Sequence, residues 1–145
     1  MADTLNRNYT SGDYRSPVDD ILFVVNHVAG VDRLESWDAI EMAEVIGHAA
    51  RFVDGVVAPG EPDLDNQLPW IEGGHVKVSP VAKAIVRQYA DNGWYGINVA
   101  EEFGGQGLPD LPGKVLLEMV SGASLSISMF VITPPAALKL VAAEG

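Results

Sequence analysis

Residues 92–109 read NGWYGINVAEEFGGQGLP, and they place Glu101, Glu102, Phe103 and the glycines Gly104, Gly105 and Gly107 within a few positions of one another. Three readings compete: a phosphate cradle, an acid/base pair, and an irregular turn that seats two helices. A phosphate loop sets its glycines between a strand and a helix and aims a lysine or a helix amino end at the anion. Here two carboxylates precede the glycines and no Lys-Ser/Thr pair follows Gly107, so the local charge opposes a phosphate. A catalytic carboxylate pair must converge across a cleft, whereas sequence neighbours diverge by about 100° on a helix or point to opposite faces of a strand. The turn reading survives. Gly104, Gly105 and Gly107 give the backbone left-handed or closely packed conformations, and Trp94, Tyr95, Ile97, Val99 and Phe103 supply large apolar contacts.

The flanks then read as helices. Downstream, segments from Gly113 to Gly122 and from Ser124 to Glu144 follow, the second interrupted at Pro134 and Pro135. Upstream, Ser79 and Pro80 form a cap-then-proline start. Val81, Ala84, Ile85, Gln88 and Tyr89 continue it to a stop at Asn92 and Gly93. A longer helix covers Ser36 to Gly55, with Asp38 and Glu41 at capping-box spacing and a stripe of Ile40, Ala43, Ile46, Ala50 and Val53. The first helix starts at Ser16 and Pro17, with Asp19 in its first turn. It carries Ile21, Leu22, Val24, Val25 and Val28 and stops at Gly30. Residues 58–74, APGEPDLDNQLPWIEGG, are rich in proline, glycine and acids and read as a long surface loop. No hairpin of alternating apolar runs is expected. The fold class is therefore all-α: about five helices with a long acidic loop, residues 1–13 a loosely ordered leader and 14–145 one helical domain.

Composition removes several functions. The 145 residues carry 20 acidic and nine basic side chains, a formal charge of −11, so the net field repels nucleic acid and anionic lipid. With no cysteine there is no disulfide, thiolate nucleophile or Cys-ligated metal. The polar start MADTLNRNYTSGDYRSP lacks the apolar core of a signal peptide, which makes a cytoplasmic location the expectation. Residues 125–143 have the length of a membrane span, but two prolines, several hydroxyls and Lys139 favour a buried helix pair broken at Pro134. His27, His48 and His75 lack the spacing that sets two imidazoles on one helical turn, so no metal site is expected. SGASLS lies inside a helical pattern rather than a nucleophile elbow.

A resemblance adds to this reading. GWYGINVAEEFGGQGLP, followed by LLEMVSGASLSISMFVIT and ALKLVAAEG, resembles the amino-terminal helical domain of the flavin-dependent acyl-CoA dehydrogenases. In that family a Gly-Trp-x-Gly and then an acid-aromatic-Gly-Gly-x-Gly segment precede two pocket-forming helices. YRSPVDDILF, FVDGVVAPGEPDLD and VSPVAKAIVRQYADNGW are similar to the leader, helix, acidic loop and next helix of the branch containing 3-methylmercaptopropionyl-CoA dehydrogenases. The likeness runs from about Asp13 to Gly145.

What the resemblance implies is oxidation of an acyl-CoA thioester to the 2,3-enoyl-CoA in a complete enzyme that carries FAD, with an electron-transferring flavoprotein as acceptor and a homo-oligomeric assembly. The family's flavin and catalytic glutamate belong to later β and helical domains, so this piece is expected to bind no flavin and to be inactive alone. No catalytic residue is assigned; Glu101, Glu102 and Glu118 are not taken as the base. Ser126, Met129, Phe130 and Thr133 are the implied contacts to the acyl chain, although their helical spacing equally fits core packing. The competing class is an independent helical interaction or oligomerisation module without flavin.

Overall fold

The computed structural model describes residues 13–34 and 37–144. Its elements are α1 (Val18–Phe23), α2 (Ala39–Phe52), α3 (Glu61–Asn66), β1 (Trp70–Glu72), β2 (His75–Lys77), α4 (Pro80–Asp91), α5 (Asp110–Ala123) and α6 (Leu125–Glu144). The domain is helical, as expected, and all five expected helices are present.

The core forms where α5 packs against α2 and against α6. On α2 the buried face is Met42, Ile46, Ala49 and Ala50, continued past its end by Val53; on α5 it is Val115, Leu116, Met119 and Val120; on α6 it is Ile127 and Val131. These sets recur at three- and four-residue steps, so each helix presents one apolar stripe and burial of those stripes drives the assembly. An aromatic group seals the end beneath α4. Phe52 lies 5.9 Å from Tyr89 and 6.0 Å from Trp94, and Tyr89 meets Tyr95 edge to face at 4.7 Å.

Helix starts follow their caps in two cases. The Ser79 hydroxyl accepts from Ala82 N at 3.0 Å, with Pro80 at the first helical position, and Asp38 Oδ1 accepts from Glu41 N at 2.9 Å. The start expected at Ser36 lies outside the described residues. Ser16 behaves differently: its N–H and hydroxyl both donate to Asp54 Oδ1, each at 2.8 Å, so it ties the chain before α1 to the end of α2 instead of capping α1. Both α1 and α2 continue into wider π turns, Val24–Val28 and Val53–Val57. In the first of these Val24 and Val28 turn outward, leaving Ile21 and Val25 as the buried pair.

Three expectations are corrected. The acidic stretch 58–74 is not a structureless loop. Pro62 enters the first turn of α3, and Leu64 is buried and anchors it. β1 and β2 then pair antiparallel, with Ile71 opposite Val76, across a turn in which Gly73 and Gly74 have φ of 58° and 78°. A Gly-Gly two-residue connection supplies the positive φ values that such hairpins need. The pairing was hidden because each strand has three residues.

The third correction concerns α6, which is neither broken nor mostly buried. Pro134 and Pro135 sit inside a continuous helix. Pro134 removes the N–H that would serve the Phe130 carbonyl, and the Tyr95 hydroxyl donates to that carbonyl at 3.4 Å. Over Leu125–Ala142 only 17% of residues are buried, and the stretch is long and apolar enough, by length and composition, to cross a membrane.

The opening segment is a folded-back turn. Gln106 N donates to Gly96 O, Gly107 N to Val99 O and Leu108 N to Ile97 O, at 2.9, 2.8 and 3.1 Å. Gly104 and Gly107 have φ of 79° and 66°. Gly105 has another reason to be glycine: an added Cβ would lie 2.0 Å from the Val99 carbonyl oxygen. Gly105→Ala is therefore expected to destabilise the domain by about 3 kcal/mol or more, because backbone must move. Gly104→Ala, which meets nothing within 4 Å, should cost only the left-handed strain of about 1–2 kcal/mol. Urea unfolding of the two variants checks the order.

Candidate functional site

Ser124 decides how the last two helices face each other. It breaks the α5–α6 path with φ −156° and ψ 108°, and its hydroxyl accepts from Ile127 N at 3.2 Å. It is 1% exposed, so the bend is locked inside the core. From this fixed corner α6 turns Ile127, Ser128 and Val131 inward.

The expected substrate contacts lie on the other side. Ser126, Met129, Phe130 and Thr133 are all exposed, Met129 by 57% and Phe130 by 42%. Their spacing sets them along one outward stripe of α6, continued by Leu140 at 66%. None of them lines a described cavity. The stripe is an apolar surface rather than core.

Glu101, Glu102 and Glu118 are exposed. His27, His48 and His75 are also exposed and lie on three separate elements; His48 packs its ring 5.5 Å from Trp94, and His27 packs 5.1 Å from Phe23.

A polar cluster that the sequence did not announce lies between the glycine turn and α6. Asn98 Nδ2 donates to Asp110 Oδ1 at 2.6 Å, and Lys139 Nζ reaches the same oxygen. Residues 98, 110 and 139 converge only because the turn folds back and α6 runs antiparallel to α5. No local spacing could have shown it. The hydrogen bond from Lys139, then that from Asn98, holds the Asp110 carboxyl below the ordinary carboxylate range. Beside this cluster a cleft of about 200 Å³ opens between the α4 end, α5 and α6.

The glycine turn does not fit a flavin diphosphate. The amides of Gly105, Gln106 and Gly107 are committed to backbone carbonyls, and Glu101 and Glu102 stand beside them. No anion cradle is left in the glycine turn.

Comparison with known proteins gives the family. Residues 41–145 match the family described as acyl-CoA dehydrogenase, N-terminal domain. The chain belongs to that family. It is also 27% identical over 138 residues to the 3-methylmercaptopropionyl-CoA dehydrogenase of Ruegeria pomeroyi (strain ATCC 700808 / DSM 15171 / DSS-3), an alignment covering 91% of this chain and 24% of that protein. The chain thus spans about a quarter of the length of this relative. The family match takes in the glycine turn, α5 and α6, the segments on which the resemblance rested.

Because the folded-state pKa of Asp110 is lowered, its contribution to stability is present above the unfolded carboxylate pKa and is lost as pH falls through the lowered value. Lys139→Met should move the Asp110 carboxyl titration back towards the ordinary range, with Asn98 retaining part of the shift. A carbon-detected NMR titration of the side chain reads this directly.

Proposed function

We propose that this chain is the amino-terminal helical domain of an FAD-dependent acyl-CoA dehydrogenase, and that the outward stripe of α6 forms one wall of the acyl pocket in the complete enzyme. The observation that carries the reading is the coincidence of two facts. The family match runs through α6, and the outer face of that helix exposes Met129, Phe130 and neighbouring apolar side chains that a water-facing helix has no reason to carry.

In this reading the substrate is an acyl-CoA thioester, oxidised between its α and β carbons to the 2,3-enoyl-CoA. FAD and the proton-abstracting carboxylate are supplied by polypeptide outside these 145 residues, in keeping with the lack of a diphosphate cradle in the glycine turn. The domain's own contribution is shape and dryness. Met129 and Phe130 present a flexible and a flat apolar surface to the acyl chain, and Ser126 and Thr133 border them with hydroxyls. Water excluded by such a wall strengthens every polar interaction at the reacting carbons. A cytoplasmic location, a homo-oligomeric assembly and reoxidation by an electron-transferring flavoprotein complete the proposal.

In the complete enzyme, Met129→Trp is expected to change the ratio of kcat/KM for long against short acyl-CoA esters by about tenfold or more, since one methylene's worth of pocket contact is about 1–3 kcal/mol. An unchanged ratio in a folded, flavin-loaded variant rejects the wall assignment. Turnover of an acyl-CoA by the 145 residues alone would reject the division of labour.

A further inference from the structure

The cleft between α4, α5 and α6 is separate from the proposed acyl wall. At about 100° per residue, Val131, Ile132, Pro135, Ala136 and Lys139, which line it, centre about 140° around α6 from Ser126, Met129, Phe130 and Thr133, none of which lines it. The space has a sequence cause. Gly113 and Ala136 bring almost no side-chain volume to facing helices, and Pro135 replaces a backbone donor with a flat ring at the same level. Tyr89, Trp94 and Val131 make a buried floor, exposed by 4%, 4% and 2%.

Its polar features are few and lie at one end. Lys114 and Lys139 line the mouth, and Asp110, which holds Lys139, is the acid beside them. Two ammonium groups therefore face one carboxylate, in a chain whose net charge is −11. That overall charge acts weakly here, because salt screens it beyond about 8 Å under physiological conditions. The indole N–H of Trp94 is itself buried rather than open to the cleft, so Trp94 offers the cleft an apolar ring surface.

We propose that this cleft is a binding site for a small monocarboxylate with a compact apolar body. The carboxylate sits between Lys114 and Lys139, and the body lies over Tyr89, Trp94 and Val131. Size supports the class: an apolar cavity of about 150 Å³ accepts benzene, so about 200 Å³ accommodates a benzene-sized body with a small head group. One charge on the ligand matches the single excess positive charge at the mouth. A diphosphate or a CoA moiety is too large and too highly charged for it.

Benzoate is the probe and benzyl alcohol its neutral control, titrated into the 145-residue chain. Trp37→Phe with Trp70→Phe leaves Trp94 as the single indole N–H resonance. Benzoate is expected to shift that resonance saturably, with a Kd of about 1 mM or tighter, and benzyl alcohol to bind about tenfold more weakly. Lys114→Gln with Lys139→Gln, both at exposed positions, should weaken benzoate about tenfold and leave benzyl alcohol unchanged. Ala136→Phe should fill the space and abolish both. A Trp94 resonance unmoved by benzoate, equal affinity for the two probes, or a benzoate affinity indifferent to the lysine pair overturns the proposal. Because the readout involves neither flavin nor turnover, failure here leaves the dehydrogenase reading intact, and the reverse also holds.

Discussion

The contact between Gly105 and the Val99 carbonyl governs how the two halves of this domain meet. Only without a side chain at 105 can the strand-free segment 96–108 close on itself, with amides 105 to 107 bonded back to the carbonyls of Ala100, Gly96 and Val99. That closure seats Trp94, Ile97 and Val99 in the core and fixes where α5 begins. It also consumes the backbone donors that a phosphate would have used. The same geometry that makes the turn a structural device disqualifies it as an anion site.

From that turn the remaining architecture follows by burial. α2 and α5 carry the largest sets of buried aliphatic side chains, and α6 adds Ile127 and Val131 before its far half runs out over exposed ground. The helix tolerates two prolines there because they fall where little is packed. One of the freed carbonyls still finds a donor in Tyr95. Polar ties finish the assembly: Ser16 to Asp54 on one side, Lys139 and Asn98 to Asp110 on the other.

Helix existence and most boundaries were legible from sequence. Ser79-Pro80, Asp38 with Glu41, and Asn92-Gly93 are local signals whose physics acts within a few residues, and each stands in the structure where it was read. Failures occurred where a longer-range effect took over. Leu64 finds a place in the core and pulls a proline-rich acidic stretch into a helix, while two three-residue strands are too short for alternation to register. At Pro134 the usual helix-breaking rule did not hold, and the Phe130 carbonyl that it leaves without an amide accepts from the Tyr95 hydroxyl instead. The candidate wall on α6 was found through likeness to a family. The convergence of Asn98, Asp110 and Lys139, drawn from three distant points in the chain, carried no local mark at all.

The one-residue corner at Ser124 has a mechanical implication. A helix of 20 residues is about 30 Å long, so a tilt of about 10° at that corner would sweep its free end by about 5 Å. α6 is in effect a lever pivoting on a buried hydroxyl, and the tethers from Tyr95 and Asp110 are the stays that set its angle. Whatever docks along its outer side therefore feels the dihedral angles of a single serine.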